Sequence, residues 1–237
     1  MKKKSMKNKR LLIISAHADD NIACAGTVFK LKENFGFVPY EIVLTNSALG
    51  QNFKSAKELS ESVNVNTRSK ELIKASKFLG IEKSFQLNQE DLGLSYSKEL
   101  VLKLVKVIRI VKPNIVFLHN SYDAHPDHKI AYKLGLDSIK ISAMGVKKET
   151  YGKPFRVPLV LCCEGMLPIE AQILVDISKF LKKKTKLFKI YQSQASPKAI
   201  GFEEGLAKVR GYHLKKDRAL FAEAFTLQNE FPILLFE

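Results

Sequence analysis

Two short segments carry the residue types that do chemistry. His17, Asp19 and Asp20 stand together in AHADD, residues 16–20, directly after the apolar run LLIIS. His125, Asp127 and His128 close HNSYDAHPDH, residues 119–128, directly after Ile115–Leu118. Adjacent carboxylates at the end of a buried strand repel each other and are costly to desolvate, so a cation is the first candidate to offset them. His17 and Asp20 are three apart in one turn and can face one point, and His128 can supply a third ligand from a neighbouring strand end. That set suits zinc, with Fe2+ or Co2+ also compatible. Three protein ligands leave room for a water, whose pKa a metal lowers towards about 7. Asp19, beside the ligand but directed elsewhere, is the candidate general base. His125 is the candidate acid or oxyanion stabiliser, with Asp127 orienting it.

Each segment also has a plainer reading. HPDH can be a turn in which Pro126 sets φ and Asp127 caps a helix over 128–139, and Asp19 and Asp20 can be helix caps. Two His/Asp clusters, each just after an apolar strand, favour the metal site over a coincidence of caps.

The elements that must position these residues follow an alternating pattern. Strands are predicted at Leu11–Ser15, Glu41–Thr45, Ile115–Leu118, Leu159–Cys163 and Ile173–Val175. Helices are predicted over 22–35, 67–79, 98–111 and 178–191. In the third, Val101, Leu104, Val105, Ile108 and Val111 keep the i, i+3, i+4 spacing, and Pro113 ends it. Strands alternating with such helices imply an α/β fold: a Rossmann-like, mostly parallel sheet with helices on both faces, in a single domain over 11–237 behind a basic tail at 1–10. Ligands then sit at the carboxyl ends of the strands. That rule converges three polar clusters: 17–20, Asn46–Gln51 and 119–128.

The motifs resemble those of the PIG-L/LmbE-like zinc N-deacetylases, which act on N-acetylglucosamine-type groups. HADD after the first strand and HPDH after HNSYDA carry the likeness. EIVLTNSALGQN, TRSKELIKASKFLGI, VDIS, the Ser193-Gln194 pair and AEAF at 222–225 extend it over most of the chain. The resemblance implies one zinc per chain on His17, Asp20 and His128, Asp19 as base, His125 as acid with Asp127 behind it, and Arg68 on the substrate. Asn46 and Ser47 fall in the loop of the second strand, where they read as turn residues and as candidate substrate contacts. His213, in a late segment, is a weaker candidate for bordering the pocket. The usual His-Pro-Asp-Asp-Glu is His17-Ala18-Asp19-Asp20-Asn21 here, which loosens the turn and removes a carboxylate. The usual Gly-Gly-Thr is Ala25-Gly26-Thr27.

The function implied is removal of acetyl from an N-acetylglucosamine-type sugar, releasing acetate. A net charge of +15 argues for an anionic aglycone on that sugar, and equally for a solvated lysine surface. Competing readings are a metal-dependent phosphoesterase, for which two metals are usual, and a non-catalytic binder of an anionic polymer. The absence of Trp, with aromatics that read as core, argues against nucleic acid as the partner. A homo-oligomer is compatible with the sequence. The apolar run after the basic start is too short for an export signal, and no segment reads as membrane-spanning. Cys24, Cys162 and Cys163 lack metal-ligand spacing and read as reduced structural thiols, which points to the cytoplasm.

Overall fold

A computed structural model describes residues 9–50, 60–215 and 217–228; most of the basic tail, together with Gln51 and Asn52, lies outside them. One seven-stranded sheet runs through the chain in the order β3-β2-β1-β4-β5-β7-β6. Its strands are β1 (Arg10–Ser15), β2 (Val38–Thr45), β3 (Lys83–Gln89), β4 (Ile115–Leu118), β5 (Leu159–Cys163), β6 (Ile173–Asp176) and β7 (Ala222–Leu227). β3, β2, β1, β4 and β5 pair in parallel, and β7 pairs antiparallel with both β5 and β6. The Rossmann-like, mostly parallel sheet is therefore present, with β7 as its reversed strand.

Alternation along β1 divides the core between the two faces. Leu11 and Ile13 join one cluster with residues of α1 (Ala25–Phe35), α2 (Glu61–Leu79) and α6 (Leu181–Phe188). Leu12 and Ile14 join the other with residues of α3 (Lys98–Val111) and α4 (Pro126–Ser142). A strand covered on both sides has to be apolar throughout, which is why LLII reads as a continuous run. On α3 the apolar stripe is buried, Ser97 caps the N-terminus by accepting from Leu100 N at 3.2 Å, and Lys112, at φ 51°, ends the helix before Pro113.

Several elements differ from expectation. Residues 20–24 form a short 3-10 turn before α1, and α2 begins at Glu61 rather than 67. Of the stretch 178–191 only α6 is helical. β3 and β7 were not expected as strands, nor α7 (Pro197–Tyr212) as a helix; a short α5 (Lys148–Tyr151) completes the set. β3 escapes pattern reading because it is a half-exposed edge strand, KSFQLNQ. The Ala25 departure is tolerated in a fully buried position, whereas a Cβ at residue 26 would lie 2.8–2.9 Å from Ile177. Position 26 is therefore the one of the pair that has to be glycine.

Candidate metal centre

Strand order runs outward in both directions from β1 and β4, so the crevice at their carboxyl ends is the topological switch point of the sheet. His17–Asp20 leave the end of β1. His119–His128 leave the end of β4 and lead into α4, where His125 is the N-cap and Pro126 the first helical residue. Ala16 N ties the two tips by donating to His119 Nε2 at 3.0 Å, and within the first tip His17 N donates to Asp20 Oδ2 at 2.6 Å.

This brings His17, Asp20 and His128 together. His17 Nδ1 is 3.2 Å from His128 Nε2, which is 3.2 Å from Asp20 Oδ1, and Asp20 Oδ2 is 3.6 Å from His17 Nδ1. Tetrahedral ligands at about 2.0–2.1 Å from zinc lie about 3.3–3.4 Å apart, so the spacing fits one small ion. The donors are two imidazole nitrogens and a carboxylate, the chemistry zinc prefers. The opposite edge of His17 fits as well. Its Nε2 faces Asp91 Oδ1 at 3.0 Å and Asp127 Oδ2 at 3.2 Å, and each carboxylate is fixed by a backbone N–H, from Leu49 and Leu92 respectively. Carboxylates on the outer nitrogen leave the inner one as an acceptor, the usual support of a metal-bound histidine. His128 Nδ1 lies 3.1 Å from Asp123 Oδ1, without hydrogen-bond alignment. Other overlapping groupings also bring donor atoms close, among them Asp20, His119 and His128.

The electrostatics express the same shortage of positive charge. Burial opposes a charge on His17, yet Asp20, Asp127 and Asp91 push its pKa up to about 12. His128, likewise opposed by burial, is raised to about 10 by Asp20 and Asp123. Asp20 is held well below the carboxylate range by His128, His119 and His17 despite its burial. Burial, aided by His17 and His128, pushes His125 down. Its Nδ1 accepts from Asp127 N at 3.2 Å, which assigns the ring hydrogen to Nε2.

The supporting residues depart from expectation in informative ways. Asp127 meets His125 only through its backbone, and its carboxylate serves His17 instead. Arg68 is buried behind Asp19, with a guanidinium nitrogen paired to Asp19 Oδ1 and its Nε and Nη1 without hydrogen-bond partners. Asn46 and Ser47 line a separate cavity of about 390 Å3 with Arg68. The Asn46 side chain accepts from Ala48 N at 3.1 Å, and Ser47 Oγ accepts from Ala18 N at 3.1 Å. A proline at 18 has no N–H to give, so the Ala18 departure is matched by Ser47. Asn21 donates to Glu41 Oε1 at 2.8 Å and to Tyr191 Oη at 2.9 Å, so Glu41, from β2, places a carboxylate beside the residue that replaces glutamate. Burial pushes Glu41 up to about 7. His213 is exposed, against the Tyr212 ring, and lines none of the cavities described here. His119, Asp91 and Asp123 join the centre without having been singled out in the sequence; His119 follows β4 directly, and that position is the signal that could have found it.

Asp19, Asp20, His119, His125 and His128 form one end of a cavity of about 640 Å3. Among the described residues no helix is long and apolar enough to cross a membrane, and all three cysteines are free and buried.

A family model described as PIG-L, GlcNAc-PI de-N-acetylase, matches residues 12–139. Diacetylchitobiose deacetylase of Thermococcus kodakarensis is 31% identical over 140 residues, 57% of this chain and 51% of that protein. 4-Oxalmesaconate hydratase of Pseudomonas putida is 26% identical over 133 residues, 55% and 51% of the two chains. The matches thus span about half the length of these curated relatives. In fold, the chain resembles N,N'-diacetylchitobiose deacetylase of Pyrococcus horikoshii, with a TM-score of 0.81, 24% identity, and 93% of this chain and 84% of that one covered. It also resembles the 4-carboxy-2-hydroxymuconate hydratase of Pseudomonas putida, with a TM-score of 0.82, 22% identity, and 97% and 99% covered.

Proposed function

From the premise that the chain belongs to the PIG-L, GlcNAc-PI de-N-acetylase family, we propose that it is a metal-dependent hydrolase that cleaves the N-acetyl amide of an N-acetylglucosamine-type sugar, releasing acetate. The observation that carries this reading is the convergence of His17 Nδ1, Asp20 and His128 Nε2 at 3.2–3.6 Å, beside a cavity lined by Asp19, Asp20, His125 and His128. His17, Asp20 and His128 would hold the ion, zinc by donor preference with Fe2+ or Co2+ as alternatives. When bound, it supplies Lewis acidity and eases ionisation of water. Asp19, anchored through one oxygen by Arg68, accepts a proton from the water that attacks the acyl carbon. His125, carrying its hydrogen on Nε2, donates a hydrogen bond to the developing oxyanion. The C–N bond breaks as the amine nitrogen takes up a proton, leaving a free amine and acetate. Arg68 thus acts through Asp19 rather than on the sugar.

The net charge of +15 supports an anionic aglycone. Reduced, buried thiols support a cytoplasmic setting. The test is acetate release from a panel of N-acetylglucosamine conjugates, paired with elemental analysis of the protein. Asp19→Asn should lower kcat by about 10²–10⁴-fold; unchanged turnover removes Asp19 as base.

Addition of water to an unsaturated carboxylic acid is the second reading, favoured by the hydratase among the relatives. Loss of the enoate absorbance without any acetate release from the sugar panel would select it.

A further inference from the structure

The cavity that ends on the His/Asp cluster is far larger than an acetyl group needs. The methyl of an acetamide is about the size of a water molecule, whose share of liquid volume is about 30 Å3, against a cavity of about 640 Å3. Away from the cluster the lining turns to hydrocarbon and thiol, including Ile13, Ile22, Cys24, Phe117 and Phe188, all buried core residues. Among the polar groups of the lining, Ser15 Oγ, two residues before His17 at the cluster end of β1, is buried without a hydrogen-bond partner, and the others are engaged or turned outward. Gln194 Nε2 donates to Ser193 Oγ at 3.1 Å, Glu203 pairs with Lys184 at 3.0 Å, and Lys198 is exposed to solvent. Part of the wall is α7, which buries only Ala207 and Gly211 over its 16 residues. Ala199 and Phe202, three apart on that helix, line the void. The space opens to solvent on one side, so its apolar lining is surface that a ligand can cover. Apolar space beside convergent polar groups is the signature of a ligand site.

We infer that this cavity is an acyl-chain subsite, and that the preferred substrate is an amino sugar N-acylated by an aliphatic chain longer than acetyl. The inference rests on the deacylase reading above and names its substrate class. Orientation follows from chemistry. The amide nitrogen carries a sugar whose hydroxyls need hydrogen-bonding partners, and the hydrocarbon part of the lining offers none, so the sugar lies outward, towards Ser196 and Lys198, and the acyl chain runs in against Ile22, Cys24 and Phe188. Hydrolysis balances as for acetyl: water adds its oxygen to the acyl carbon, the C–N bond breaks, and a fatty acid and a free amine leave.

The test is a series of N-acylglucosamines from acetyl to decanoyl, followed by appearance of the free amine on the full-length, metal-loaded chain. The expected result is a kcat/KM that rises about fourfold per added methylene from acetyl through hexanoyl. Ala199→Phe, which fills the void from α7, should lower the ratio of octanoyl to acetyl kcat/KM about tenfold. A series that is level or highest at acetyl overturns the inference and leaves the deacylase reading standing. If no amide is cleaved, the deacylase reading fails, and calorimetry on the same wild-type chain decides the cavity by itself. N-octanoylglucosamine binding at least tenfold tighter than N-acetylglucosamine supports an acyl subsite; equal affinities overturn it. An octyl glycoside of N-acetylglucosamine that binds as tightly as the N-octanoyl sugar also overturns it, because the chain would then enter as aglycone.

Discussion

Two buried clusters of charge lie on this fold, and they are balanced differently. Beneath α1, Lys184 Nζ sits 3.0 Å from both Glu223 Oε1 and Glu203 Oε2, and Glu223 accepts from Gly26 N and Thr27 N at 2.9 and 2.7 Å. Every charge there meets an opposite charge or a helix N-terminus within the protein. At the ends of β1, β3 and β4, the carboxylates of Asp20, Asp91, Asp123 and Asp127 have backbone N–H groups and imidazoles as partners but no lysine or arginine, and two imidazole nitrogens approach each other at 3.2 Å. A cluster complete in itself holds helices and strands together. One whose carboxylates have no fixed cation among them is completed by something from outside, either protons on His17 and His128 or a metal ion.

The sharpest way to break this contrast is one substitution in each cluster. His128→Ala should remove bound metal, at least tenfold by elemental analysis, and reduce amide hydrolysis about 10³-fold or more, a loss of about 4 kcal/mol in transition-state stabilisation. Lys184→Met should leave metal content unchanged and cost about 3–5 kcal/mol of stability, read by denaturant unfolding, because it strands the buried Glu223 carboxylate and unpairs the half-buried Glu203. If Lys184→Met strips the metal, or His128→Ala proves the more destabilising in metal-free protein, the two clusters are not different in kind.

Glu41 tests what lies between these cases, a buried carboxylate with neutral partners. Asn21, Ser76 and Ser84 donate to it, Tyr191 lies next to Asn21, and Asp20 adds repulsion. Its pKa rises from 4.5 to about 7, so between those values the folded state holds a proton that the unfolded chain has released. Stability therefore falls as pH rises through that window, by up to about 3 kcal/mol, and the penalty is complete above pH 7. Glu41→Gln should remove it, being more stable than the parent at pH 8 and close to it at pH 4.5. Equal unfolding midpoints at pH 8 would show that Glu41 is not held protonated. Asp127→Asn asks less of the site. Losing a carboxylate from the outer nitrogen of His17, with Asp91 still in place, should weaken metal binding about 10–100-fold, measured by chelator competition.

What could be read in the sequence follows from where each signal is local. β1, β4 and α3 announce themselves because apolar residues recur at the period of the element. The ligand candidates His17, Asp20 and His128 could be singled out because they stand in His/Asp clusters within segments that follow such strands. Asp91 could not, because β3 before it is an edge strand whose polar residues face solvent, and without the strand its tip cannot be located. The Arg68–Asp19 pair joins residues 49 apart and leaves no mark in either segment. The partner of Asp127 was misjudged for a geometric reason. With His125 as N-cap, the backbone N–H of Asp127 turns to that ring and its carboxylate turns sideways, to His17.

Ser47 sharpens the comparison at its smallest scale, since it read both as a turn residue and as a candidate substrate contact, and its hydroxyl braces the turn that carries the ligands. Its Oγ accepts from Ala18 N between His17 and Asp19, while Thr45 Oγ1 ties the same strand end to Ala16 O at 2.8 Å. Residue 47 has φ 55°, so alanine there adds no backbone strain that serine lacks. Ser47→Ala should then cost about 1 kcal/mol of stability by leaving a buried N–H unpaired. Its kinetic effect separates the two roles. A brace that slackens shifts the ligand turn and lowers kcat with metal affinity, whereas a lost substrate contact raises KM at unchanged metal affinity. A KM effect alone would put Ser47 back on the sugar and leave the proline-free turn without its partner.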